Sequence, residues 1–94
     1  MNNKTGIVVQ NIQKLVPGLR KGSVSADLNA KMATFIIDDS RQVELIIQDK
    51  ELTFITMVDE GGGPLPQHII SSRDVTEPGK KEAVWITQLK EFTK

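Results

Sequence analysis

The chain contains neither cysteine nor tyrosine, and each absence removes a class of function. Without cysteine there are no disulfides, thiolate metal ligands or nucleophilic thiols, a composition that fits a reducing cytoplasm. One tryptophan and three phenylalanines leave few aromatic platforms on which bases could stack. An excess of one charge is also missing: 12 Lys and Arg balance 12 Asp and Glu, so no strong overall field favours nucleic acid or an anionic membrane. No apolar run reaches the roughly 18 residues that a bilayer span requires. The opening segment "MNNKTGIVVQ" has too short an apolar stretch for a secretory signal. A cytoplasmic protein without membrane contact is therefore expected.

What is present describes an ordinary soluble domain. At 94 residues, 38% hydrophobic and 26% charged, the chain reads as a single domain over residues 1–94, near the lower limit at which a core sustains itself without staples. Val8, Ile12, Leu15, Val16 and Leu19 form one helical stripe, and Pro17-Gly18 would stop it. This spacing predicts a helix over residues 5–16, although the β-branched "GIVV" also suits an edge strand. At the other end, Trp85, Ile86, Leu89 and Phe92 share a helical face, with Lys90 and Lys94 at the end that favours cations. The rival for residues 80–94 is a hairpin, since "EPGK" has Pro and Gly where a type II turn wants them.

Between these segments the period changes to two. Val24, Ala26 and Leu28 alternate with polar residues, and reversals near Ala30-Lys31, Asp38–Arg41 and Asp49-Lys50 would stack four strands. The registers that bring one apolar set together pair Ala26 with Phe35, Phe35 with Leu45, and Leu45 with Phe54. The fold class expected is thus α+β, an antiparallel meander of about four strands over residues 22–58 with a helix near each terminus. The alternative is a mainly-β small barrel or sandwich. Beyond the meander, "DEGGGPLPQ" excludes a central strand or helix, and Ile69-Ile70 can begin a short edge strand.

The chemistry-bearing residues are few. "DEGGGPLPQ" lacks the Lys and Ser/Thr of a phosphate loop and has prolines that cannot donate. His68, the one histidine, has no evident nucleophile or ligand cluster and reads as a strand-edge residue. Asp38-Asp39-Ser40 fits turn chemistry better than metal binding. No catalytic residue, metal ligand or cofactor site is expected, and the chain does not read as an enzyme.

A surplus of apolar side chains is the more informative signal. If Val43, Leu45 and Phe54 face the core, Ile36, Ile46, Ile55 and Met57 point away from it and form a second apolar face. Each such side chain left in water forgoes roughly 1.5–3 kcal/mol of burial. The expected function is a non-catalytic protein–protein interaction module, an assembly subunit or small regulatory adaptor. Its partner would be another protein or its own copies as a homo-oligomer, and Ile36, Ile46, Ile55, Met57 and Trp85 would form the interface. The alternative is a small nucleic-acid-binding barrel using Lys14, Arg20, Lys21, Lys80 and Lys81.

Overall fold

The N-terminal stripe forms helix α1, Lys4–Leu15, followed by a 3₁₀ turn at Pro17–Arg20. The helix stops where Pro17 can no longer donate a backbone hydrogen bond. A computed structural model describes residues 4–20, 22–27, 31–48, 52–61, 67–71, 74–75, 79 and 81–94. Among these residues five strands follow α1: β1 (Val24–Asp27), β2 (Met32–Ile36), β3 (Arg41–Ile47), β4 (Leu52–Asp59) and β5 (Gln67–Ser71). Each pairs antiparallel with the next, in spatial order β1-β2-β3-β4-β5. The last segment is a helix, α2, Val84–Phe92. The fold is a small α+β unit with an open sheet rather than a barrel. Its fifth strand extends the expected four; it starts at Gln67, two residues before the Ile69-Ile70 pair expected to begin an edge strand, and contains that pair.

Both helices cover the same side of the sheet. Val8, Ile12, Val16 and Leu19 from the first helical segment and Trp85, Ile86 and Leu89 from α2 join one buried cluster with Phe35, Val43, Leu45, Ile55 and Ile70. Burying so many large apolar groups together is the main term favouring folding. The helical ends meet at Gly18, where any Cβ would lie 2.3 Å from the hydroxyl oxygen of buried Thr93.

The registers differ from expectation in an instructive way. Phe35 pairs with Val43 rather than Leu45, and Ala26 with Ala33 rather than Phe35. Both are shifts of two residues, which leave each side chain on its expected face. β4 differs by one residue. Leu45 pairs with Ile55 and Ile47 with Thr53, so Ile55 and Met57 point into the core, while Phe54 and Leu52 point out. The cause is the turn length: the Gln48 N–H donates to the Leu52 carbonyl at 2.7 Å, leaving an odd number of connecting residues where a two-residue turn was expected. An odd change flips every side chain of the following strand.

Asp38 and Arg41 fasten one corner. Asp38 accepts the backbone N–H groups of Ser40 (3.0 Å) and Arg41 (2.8 Å) and pairs with the Arg41 guanidinium at 2.7 Å. Arg41 Nη1 donates to the carbonyls of Phe92 (2.6 Å) and Lys94 (3.0 Å), and its guanidinium lies 5.9 Å from the Phe92 ring centroid. The sheet is thereby tied to the end of α2. The Arg41 side chain, helped by the two backbone N–H groups, lowers the Asp38 carboxyl from 3.8 to about 2. A depressed carboxyl contributes stability above its unfolded value and loses it as pH falls toward the folded value. The tether should therefore hold above pH 3.8 and loosen as pH falls toward 2. In an acid titration followed by amide exchange in residues 89–94, Asp38→Asn is expected to remove this acid-dependent loosening. An unchanged acid profile would sever Asp38 from the tether.

Candidate functional site

With both helices on one side, the opposite side of the sheet is uncovered by any described element. Its composition follows from strand pairing, because directly paired residues share a face. Met32 pairs with Ile46, Ile46 with Phe54, and Phe54 with Ile69. These four side chains form a row running straight across β2 to β5. At a strand spacing of about 4.8 Å, the row is roughly 14 Å long. Its centre, Ile46 and Phe54, is half-buried by its neighbours, while its ends are open: Met32 is 40% exposed and Ile69 59%.

A polar row runs parallel to it. Thr34 pairs with Glu44, Glu44 with Thr56, and Thr56 with Gln67. Two side-chain hydrogen bonds organise it: Gln42 Nε2 donates to Glu44 Oε1 (2.9 Å) and Gln67 Nε2 to Thr56 Oγ1 (2.8 Å). On the far side of the apolar row, Leu52 pairs with Ser71 beside Gln48 at the end of β3. Ile36, Gln42 and Val58 lie across the polar row. The face is therefore striped, apolar and polar by turns.

The sequence-based interface residues separate into two groups. Ile36 and Ile46 lie on this face. Ile55, Met57 and Trp85 do not: all three are buried in the core with the helices. Phe54, Met32 and Ile69 were missed. A two-residue β3–β4 turn, as the sequence suggests, directs Phe54 into the core, one residue out of the observed register, and Ile69 joins the face only through the fifth strand.

No helix among the described residues is long and apolar enough to cross a membrane. Comparison with family models, curated proteins and solved structures returns no match. The reading of function therefore rests on the chemistry of this chain alone.

Two other places carry polar groups. A cleft of about 460 Å³ lies between β5 and the start of α2, with His68, Ser71, Asp74, Lys81 and Trp85 on its lining. His68 directs Nε2 to Gln88 Oε1 of α2, 2.5 Å away, and the Ser71 hydroxyl accepts the Asp74 N–H at 3.2 Å. The His68 ring is thus committed to Gln88 and the Ser71 hydroxyl to a backbone N–H, whereas a nucleophile needs its base within reach. Among the described residues no three His, Asp or Glu side chains gather as metal ligands.

Of the basic residues, Lys14 and Lys81 share a groove on the helix side with Lys90 and Glu82. Lys90 pairs there with the Glu82 carboxylate. That contact, together with the Thr87 hydroxyl, holds the Glu82 carboxyl below its ordinary value. Arg20 is exposed on the 3₁₀ turn and does not line this groove, while Lys21 and Lys80 fall outside the described residues.

Proposed function

We propose that this chain is a non-catalytic protein-interaction module, an assembly subunit or small regulatory adaptor that docks a protein partner on the open sheet face. One observation carries the reading: an apolar row, Met32–Ile46–Phe54–Ile69, lies across the side of the sheet opposite both helices. Antiparallel sheets tolerate water on one face when that face is polar. Here Met32 and Ile69, 40% and 59% exposed, still have about half of the roughly 1.5–3 kcal/mol of full burial to gain each, a driving force for association. The polar row beside them supplies direction, since its carboxylate, amides and hydroxyls reward only a partner that answers their hydrogen bonds. The lack of cysteine fits a cytoplasmic setting.

Nucleic-acid binding is the weaker reading. Its one support is the Lys14–Lys81 groove, where a carboxylate already answers one cation. Phe35 is buried, leaving Phe54 as the single phenylalanine on the sheet face.

A photoreactive phenylalanine analogue tests the docking reading directly. Placed at Phe54 and irradiated in the cell of origin, it is expected to give one covalent adduct of discrete mass. The same analogue at Val84, an exposed apolar position on α2, is expected to give no such product. A chain that stays uncoupled at Phe54, or that couples equally at Val84, would defeat the proposal.

A further inference from the structure

We propose that the free edge of β5 takes up an extended segment of another protein as a sixth strand, seated between β5 and the start of α2. This goes beyond the docking reading above, because it concerns the edge of the sheet rather than its open face.

The hydrogen-bond pattern identifies which backbone groups are free. The Gln48 N–H donates to the Leu52 carbonyl, so the even-numbered residues of β4 bond to β3 and the odd-numbered ones are left for β5. Thr53 pairs with Ile70 and Ile55 with His68, which turns the N–H and carbonyl groups of Gln67, Ile69 and Ser71 outward. No described residue pairs with these groups. The opposite edge of the sheet is a weaker template. There the Ile36 N–H donates to the Ser23 carbonyl, so Ser25 and Asp27 bond inward and only Val24 and Ala26 face out along β1. β5 also lacks the devices that protect an edge. Its residues include no proline and no Asp, Glu, Lys or Arg, and its register with β4 runs without a bulge.

A cleft keeps this edge accessible. The space of about 460 Å³ beside α2 is lined by four consecutive residues of β5, His68 to Ser71. Successive side chains point to opposite faces of a sheet, so a space that touches all four lies along the edge and not over one face. Its other wall is the start of α2. Trp85 and Ile86 are buried there, whereas Val84 falls with Thr87 and Glu91 on the solvent side of the helix, out of a strand's reach.

The occupant follows from this geometry. The outward positions Gln67, Ile69 and Ser71 span about 13 Å, and only another extended backbone repeats donors and acceptors at that interval. On one side of the added strand, side chains would meet Trp85 and Ile86; on the other they would continue the apolar row beyond Ile69. The segment should be uncharged, because the cleft lining balances one cation, Lys81, with one carboxylate, Asp74. A second copy of this chain suits the cleft poorly. Its own β5 would bring His68 and Ile70 to the helix side, but His68 is held by Gln88 and Ile70 is buried in its own core. Neither could fill the space, whereas a segment with no packed layer of its own can.

The test uses the purified full chain and a displayed library of short uncharged peptides. Enriched peptides, made synthetically, are expected to slow amide exchange at Gln67, Ile69 and Ser71 about tenfold or more. Methylating the peptide nitrogens one at a time should lower affinity about tenfold at alternate positions and little between them. Added salt should leave affinity unchanged. Ile69→Pro deletes the central outward N–H and spares the ladder to β4, so it should weaken binding about tenfold with an unchanged circular dichroism spectrum. If that variant fails to fold, the methylation series carries the test alone. A library without binders, methylation effects without a period of two, or protection confined to other amides overturns the proposal. So does protection of the same three amides in the chain alone that grows with concentration, which would make the occupant a second copy. The Phe54 photoadduct reports on the open face, so the docking reading can stand where this one falls.

Discussion

Ile55→Lys is expected to leave the chain unfolded at room temperature, while Phe54→Lys, one residue earlier, is expected to fold. Ile55 has no exposed surface and pairs with Leu45 on one side and His68 on the other, beneath the helices. An ammonium there would be buried without a partner, a penalty of several kcal/mol on top of roughly 1.5–3 kcal/mol of lost burial. The whole margin of a domain is about 5–15 kcal/mol, and small domains sit low in that range. Phe54 lies on the open face, where the lysine stem can follow the sheet and its head can reach water. Its cost should be about 1–2 kcal/mol, part of a full aromatic burial. Urea denaturation followed by circular dichroism checks both. The opposite outcome would restore the register in which Phe54 faces the core.

Gly22→Ala is the second large effect expected. A Cβ at Gly22 would lie 1.6 Å from the carbonyl oxygen of Ile36 and 2.7 Å from its carbonyl carbon. Both are backbone atoms, so no rotamer change relieves the overlap. The chain entering β1 must move away from the end of β2, and the Ile36 N–H to Ser23 carbonyl bond, 2.8 Å, is lost with it. Overpacking of this kind costs roughly 1–3 kcal/mol, sometimes more, and the broken hydrogen bond about 1 kcal/mol further. The readout is a fall in the urea midpoint together with loss of exchange protection at the Ile36 amide. Gly79→Ala is the control, since nothing lies within 4 Å of its added carbon, and a change within about 0.5 kcal/mol is expected there. If both variants behave alike, the close approach at Gly22 is not what seats β1.

Much of this architecture was legible before the structure. The helix expected over residues 5–16 is found at Lys4–Leu15, because five apolar residues at helical spacing followed by proline leave little choice. The strands were legible from their alternation, and shifts of two residues in β1 and β2 cost nothing in face assignment. β4 defeated the same reasoning. In Leu52–Asp59 both alternate sets are apolar, Leu52, Phe54 and Val58 against Ile55 and Met57, so periodicity cannot say which set is buried. The choice falls to the length of the β3–β4 connection. Asp49-Lys50 carries no signal that distinguishes two residues from three. The placement of both helices on one side was equally hidden, because an amphipathic helix specifies that it packs and not which face receives it.

The decision taken at that hairpin extends to how the protein can change over generations. In β2, β3 and β4 the outward positions are the even-numbered residues, and in β1 and β5 the odd-numbered ones. On the proposed docking reading, contacts with a partner fall on one set of positions and what holds the sheet together on the interleaved set. Selection can redraft the first without disturbing the second, so a lineage could trade one companion for another while keeping the same interior.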